Sequence, residues 1–425
     1  MRVLLISPNR EQINMPTWPL GLACVAAAAS HAGHDVQVLD LMPETDWADA
    51  IRQAVVGLAP QVIGISVRNI DDQNLENPVF LLERVTDVVA LCKRFADVPI
   101  VLGGAGYSMF PTSVLEYLDV ELGIQGEGEA AFPALLDAIG TSTDVSSIPG
   151  LCIRARGVKN PPDLKHELDL FPLPDVRVFA SRIAMAEEFV LPVQTRRGCP
   201  MNCTYCSTAT IEGRALRRRT PSKVVEWLSD WNHAGFRKLY FVDNTFNLPQ
   251  FHALDLCARL ADIDPGFSWS CILYPHKLDK TLVQAMARAG CTDVALGFES
   301  GCEEILLALN KRFRPDDVWC SSLLLGDYGI HRMGFLLLGG PGETKATVEQ
   351  SLAFADSLGL EGMHITIGIR IYPNTPLAKL AVAEGVISAE DDLLFPKFYL
   401  ARSLEDWIFD AVQSWISHRP HWYTA

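Results

Sequence analysis

The stretch RRGCPMNCTYC, residues 196–206, spaces three cysteines as C-x3-C-x2-C directly after the apolar run FVLPVQT. A closed structural zinc site takes four ligands, usually as paired C-x2-C units. No second pair or nearby histidine follows at zinc spacing. A [4Fe–4S] cluster takes one cysteine thiolate per iron, so three local cysteines leave one iron open to a substrate or cosubstrate. The strand before the motif decides the fold, because α/β architectures gather ligands at the carboxyl ends of their strands.

From residue 189 onward, FVLPVQT, KLYFVDN, FSWSCILY, DVALGFES, MGFLLLGG and MHITIGIRIY are six strand candidates separated by helical stretches. One of those helices, PSKVVEWLSDWNHAG, starts with proline and ends with glycine, as capping chemistry favours. Six βα units predict a partial (β/α)6 TIM barrel over 189–385. Over 1–142, the runs VLLIS, VQVLDL, QVIGISV, VPIVLGG and VELGIQ alternate with helical patterns. That rhythm predicts a Rossmann-like, flavodoxin-like five-stranded parallel sheet. Residues 143–188, which include NPPDLKHELDLFPLPD, predict a short hairpin and a Pro-rich linker. The tail 386–425 is aromatic-rich, with helical spacing at Leu404, Trp407, Ile408, Val412 and Trp415; it predicts a short helical segment packed over the barrel as core or lid.

The 425 residues are 49% hydrophobic and 20% charged, an ordinary globular make-up with room for two or three domains. A net charge of −15 argues against general attraction to nucleic acid or anionic membranes and favours a small-molecule substrate. MRVLLISP is too short for a signal peptide, and no apolar run reaches the ~18 residues of a membrane span. The expected location is cytoplasmic. Eleven cysteines there are expected to be reduced, the eight outside the motif serving as small buried hydrophobes.

With Cys199, Cys203 and Cys206 in CPMNCTYC, the barrel resembles the radical S-adenosylmethionine (SAM) superfamily. The resemblance implies that the three thiolates hold a [4Fe–4S] cluster whose fourth iron is chelated by SAM. An electron from the cluster would cleave SAM to a 5′-deoxyadenosyl radical that abstracts hydrogen from substrate. Carried over by position, Tyr205 would lie near the adenine, or pack beside the cluster. Asp243 and Asn244 of YFVDNTFN stand where the family has a Gly-Gly-Glu-like contact to the SAM amino group, a motif absent here. Glu299 and Ser300 of LGFESG would contact ribose and carboxylate, or act as caps. Gly339, Gly340 and Gly342 of LLGGPGET would admit close backbone approach to SAM. Arg370 of IRIYPNTP would pair with a carboxylate or serve a structural ion pair.

The first domain resembles the cobalamin-binding domain of B12-dependent radical SAM enzymes. The residues implied are Asn69, Ile70 and Asp71 of SVRNIDDQN, Gly103, Gly104 and Ala105 of VLGGAGYSMFP, and Gly126, Glu127, Gly128 and Glu129 of IQGEGEAAFP. The D-x-H-x-x-G motif that supplies a lower cobalt ligand is missing; His31 and His34 read as surface or capping residues. The implied activity is methyl transfer from methylcobalamin to an unactivated carbon, or phosphorus, of a small metabolite. A one-electron donor such as flavodoxin or ferredoxin would be required, and no catalytic residue beyond the cofactor ligands. Radical rearrangement or oxidative cyclisation is the alternative enzyme reading, and a cobalamin or iron–sulfur sensing module the non-enzymatic one. A methylthiotransferase is disfavoured, since Cys24, Cys92 and Cys152 form no second triad.

Overall fold

The computed structural model describes residues 1–11, 18–164, 167–176, 189–263 and 266–424. The chain divides into two compact units. The first comprises Met1–Asp72, Val79–Ala180 and Thr208–Gly213; the second comprises Gln73–Pro78, Ser181–Ser207 and Arg214–Ala425.

The first unit is built on β1 (Arg2–Ser7), β2 (Asp35–Asp40), β3 (Val62–Ser66), β4 (Ile100–Gly103) and β5 (Leu122–Ile124), all parallel in the order β2-β1-β3-β4-β5. Val3 to Ile6 are all buried, as expected of a central parallel strand covered on both faces. Helices Leu20–His31, Trp47–Leu58 and Leu82–Phe95, and the short pair Ala105–Met109 and Pro111–Tyr117, supply the crossovers, and helix Gly128–Thr141 follows β5. The Asp46 carboxylate caps the second of them by accepting from Asp49 N at 3.0 Å.

The expected hairpin forms as β6 (Leu151–Ile153) and β7 (Val158–Lys159), but it is not a free-standing linker element. It continues the sheet antiparallel beyond β5, making seven strands. Leu151, Cys152 and Ile153 are all buried, so this pairing covers what would otherwise be the open edge of β5. Residues 177–188 of the expected linker lie outside the described residues.

In the second unit the six expected strands form as β8 (Val190–Val193), β11 (Lys238–Phe241), β12 (Ser268–Leu273), β13 (Cys291–Glu299), β14 (His331–Leu338) and β15 (Gly362–Ile367). They are parallel and sequentially adjacent. Two short antiparallel pairs decorate them: β9 (Arg196–Arg197) with β10 (Arg217–Arg218), and β16 (Ile369–Arg370) with β17 (Phe398–Tyr399). The tail adds a strand that helical spacing did not predict, β18 (Trp422–Thr424), parallel to β15. The sheet therefore has seven strands, and among the described residues its edges β8 and β18 do not pair, leaving the barrel open.

Alternate residues of β13 and β14 are buried. Phe298 on the buried face meets Phe354 of helix Lys345–Ser357 edge-on at 5.9 Å. The tail's helical expectation holds over Ile408–Ile416, where Ile408 and Val412 are buried. Arg419 then pairs with Asp356 at 2.6 and 2.8 Å, fastening the approach to β18. All eleven cysteines are free thiols; seven of the eight outside the motif are buried, and Cys320 is exposed.

Candidate functional site

In the first unit the strand order changes direction between β1 and β3, the point at which α/β sheets open a ligand crevice. A cleft lies there, lined after β1 by Pro8, Asn9, Arg10 and Glu11, and after β3 by Val67, Arg68 and Asn69. Asn69 was expected; the PNRE segment after β1 was not, because it carries no glycine signal.

The loops after β3, β4 and β5 are tied together. Gly106 N donates to Val67 O at 3.0 Å. The Ser108 hydroxyl donates to Gly104 O at 2.8 Å and accepts from Gly126 N at 2.9 Å. Ser108, fully buried, was also missed by motif reading, since a lone serine has no signature.

The glycines divide by what surrounds them. Gly104 has φ +98° and ψ 172°, a region essentially reserved for glycine, and a Cβ there would lie 2.5 Å from Val67 O. Cβ atoms on Gly126 and Gly128 would come within 2.8 Å of Pro162 and Val25. These three are required by the packing of the protein itself. At Gly103 the nearest atom to an added Cβ is 3.9 Å away, leaving an unobstructed face at the end of β4. Ile70 and Asp71 are buried, Asp71 in a bridge to Phe80. Ala105 opens helix Ala105–Met109, Glu127 is the N-cap of helix Gly128–Thr141, and Glu129 is buried in its first turn. A bare backbone at Gly103 beside the strand-end cleft suits a large flat macrocycle, so the residues fit a corrin.

In the second unit the cysteine motif leaves β9 through Gly198, at φ +86°, and the β9–β10 pair closes its base. That base is anchored by charge. Arg196 and Asp243 are almost fully buried and lie 3.3 Å apart. Asp243 also accepts from Thr195 N at 2.7 Å, Thr195 Oγ1 at 2.6 Å and Arg196 N at 3.1 Å. Arg196 Nη2 bonds His252 Nδ1 at 3.0 Å, and His252 Nε2 donates to Arg219 O at 2.8 Å. The expected SAM residue Asp243 is thus spent on holding the start of the cysteine loop, while Asn244 beside it is half-buried.

Tyr205 and Glu299, from distant parts of the chain, are brought into direct contact, and the structure adds a third member. Tyr205 OH donates to Glu299 Oε1 at 2.7 Å; Lys311 Nζ lies 2.5 Å from the same oxygen and 3.0 Å from the tyrosine oxygen. Glu299 sits at φ +61° where the β13–β14 register shifts. Burial opposes the Lys311 charge, but Glu299, Tyr205 and Cys203 outweigh it and hold its pKa well above the ordinary range. Burial pushes the Cys203 thiol up, and the Lys311 ammonium opposes that shift. Three cysteines in one loop, with a cation beside them, fit the thiolate set of an iron–sulfur cluster with one open iron.

The remaining expected contacts are engaged within the protein. Ser300 is fully buried, 2.8 Å from Ser351 Oγ. The Arg370 guanidinium donates to Ile371 O at 2.7 Å and Leu393 O at 2.8 Å, bracing the backbone around it. At the end of β14, Gly340 N donates to Glu343 Oε2 at 2.7 Å, and Gly339 N donates to the same oxygen. Burial raises the Glu343 pKa to about 7, against the pull of those two amides.

An open α/β barrel with three thiols on the loop after its first strand, preceded by a flavodoxin-like unit with a strand-end cleft, is the architecture of an iron–sulfur protein with a second ligand site. The sequence signature of the B12 binding domain matches residues 8–136, and that of the Radical SAM superfamily matches residues 193–355. The chain thus carries a B12-binding domain followed by a radical SAM domain; it is an enzyme whose cofactors are a [4Fe–4S] cluster, SAM and cobalamin. It is 26% identical to an uncharacterized methyltransferase of Pyrococcus horikoshii, over 91% of this chain and 84% of the relative. It is 27% identical to the tryptophan 2-C-methyltransferase of Streptomyces laurentii, over 89% of this chain and 74% of the relative. The radical S-adenosylmethionine methyltransferase TsrM of Kitasatospora setae shares the fold: TM-score 0.85 at 21% identity, covering 98% of this chain and 88% of that one. Among the described residues no helix is long and apolar enough to cross a membrane.

Proposed function

We propose that the chain is a cobalamin-dependent methyltransferase that delivers a methyl group to an unactivated carbon, or a phosphorus, of a small-molecule metabolite. It would act in the cytoplasm with electrons from a flavodoxin or ferredoxin. The reading is carried by the presence in one chain of a three-thiol loop and a corrin-compatible crevice, and it is supported by relatives named as methyltransferases.

In this reading Cys199, Cys203 and Cys206 hold three irons of the cluster. The cofactors supply the radical and the methyl group. The protein's share is placement. Arg196 and Asp243 fix the base of the cysteine loop, and Tyr205, Glu299 and Lys311 form a rigid charged wall near Cys203. Glu343 holds the Gly339–Gly340 backbone, where SAM would be approached closely. Gly103 leaves the corrin its face. Holding reacting groups within about 3–3.5 Å and excluding water is what such a frame contributes to rate. No acid–base pair is demanded.

The test is anaerobic incubation of the reconstituted protein with methyl-deuterated SAM, cobalamin, a reductant and a metabolite extract. A metabolite gaining one intact labelled methyl group is expected. Cleavage of SAM to 5′-deoxyadenosine with an unlabelled, rearranged or cyclised product would replace methyl transfer by the radical alternative.

A further inference from the structure

Immediately after helix Glu303–Ala308, three consecutive residues reach the cysteine loop. Leu309 O accepts from Thr204 N at 3.2 Å. Asn310, in the left-handed region at φ +58°, donates from Nδ2 to Asn202 O at 2.6 Å. Lys311 Nζ lies 3.0 Å from the Tyr205 hydroxyl oxygen and 2.5 Å from Glu299. Positions 202, 204 and 205 lie between or beside the cysteines, so the 309–311 segment grips the loop that carries the thiols. The grip ends in a charge: the Lys311 side chain is only 5% exposed and its counter-ion Glu299 11% exposed. Water can screen neither effectively.

We propose that the 309–311 segment is a clasp with two separable functions: Asn310 holds the shape of the cysteine loop, and Lys311, set against Glu299, adjusts the reduction potential of the cluster. The proposal rests on the cluster assignment of Cys199, Cys203 and Cys206, and is independent of methyl transfer. A cluster's potential depends on nearby charge, hydrogen bonding and solvent exposure. Reduction adds negative charge to the cluster. A fixed cation nearby favours that step, and a fixed carboxylate opposes it.

The experiment is a redox titration of the reconstituted protein with dithionite, without SAM, followed by absorbance and electron paramagnetic resonance, with iron and sulfide counted in every sample. Lys311→Met is expected to shift the midpoint downward and Glu299→Gln to shift it upward. The Lys311→Met/Glu299→Gln double variant should return toward the wild type. Asn310→Ala, which changes no charge, should lower iron retention while leaving the midpoint of the retained cluster in place. Midpoints that stay unchanged, or that move in the same direction in both charge variants at full iron content, overturn the tuning function. If Lys311→Met does not hold iron, the nearly isosteric Glu299→Gln variant decides alone: an upward shift supports the proposal and an unchanged midpoint overturns it. Full iron retention in Asn310→Ala overturns the shape-holding function. A wild type that takes up no cluster overturns the cluster assignment beneath both.

Discussion

The two strand-end sites are held together by different physics. In the first unit the loops meet through the Gly106–Val67 backbone bond, the buried Ser108 hydroxyl and the Gln125 amide on Ser108 O, with no ion pair among these bonds. In the second, the cysteine loop is framed by two buried ion pairs, Arg196 with Asp243 and Lys311 with Glu299. Buried pairs are costly to desolvate and are stable only when their remaining hydrogen bonds are satisfied. The Arg196–Asp243 pair meets that condition through Thr195, His252 and backbone carbonyls. The difference suits the guests: a corrin needs a close-packed platform, whereas a thiolate-bound cluster carries charge that fixed neighbours can steer.

The largest expected effect breaks one site and spares the other. A triple Cys199→Ala, Cys203→Ala, Cys206→Ala variant should lose essentially all cluster iron and sulfide, yet still retain hydroxocobalamin after desalting. Unchanged iron content would remove the cluster from this loop.

The next effect separates two adjacent glycines. Gly104→Ala places a side chain where φ is +98° and Val67 O is 2.5 Å away. It should cost upward of about 1–3 kcal/mol from backbone strain alone, seen as a lower urea midpoint with or without cobalamin. Gly103→Val meets no atom nearer to its Cβ than 3.9 Å, so its urea midpoint should stay close to that of the wild type. Its deficit should appear in cobalamin retention. Equal retention in Gly103→Val and wild type would move the corrin away from the end of β4.

A smaller loss is expected from Ser108→Ala. It leaves the Gly126 amide without its acceptor, at a cost of about 1–3 kcal/mol for a buried unpaired group, read from the same denaturation curves. A midpoint equal to wild type would mean that the β4 and β5 loops are held by packing and by the Gln125 Nε2 bond to Ser108 O, without need of the hydroxyl.

These contrasts also show what was legible in sequence. The strand runs and the cysteine spacing are local patterns, so the five parallel strands, the six βα units and the thiol loop could be read directly. The edge strands β6 and β18 could not: a strand of three residues acquires its identity from the edge it pairs with. Lys311 was invisible for the same reason as Ser108 and Arg196, because its partners lie 12 and 106 positions away. Glycine was legible as a signal and misleading as a cause. Gly104 stands out in the sequence, yet the protein's own Val67 carbonyl requires it, while the position open to a ligand is its neighbour Gly103.

The smallest effect expected is a slope with pH, and it tests whether charge matters at the end of β14 as it does around the cysteines. Glu343 accepts from Gly339 N and Gly340 N through one oxygen, while its other oxygen is buried without a partner among the described residues. Burial raises the carboxyl pKa from 4.5 to about 7, so between those values the folded protein keeps a proton that the unfolded chain has released. Unfolding then becomes easier as pH rises through this window, by at most about 1.4 kcal/mol per pH unit, and the penalty levels off above pH ~7. Glu343→Gln keeps an acceptor for both amides but cannot ionise. The stability of wild type minus that of Glu343→Gln should therefore fall between about pH 5 and pH 7 and then stay flat. Urea denaturation of both proteins across that range measures the difference. A difference that rises with pH would mean that the two glycine amides outweigh burial and that the loop is gripped by a carboxylate, making the end of β14 a charged clamp like that around Cys203.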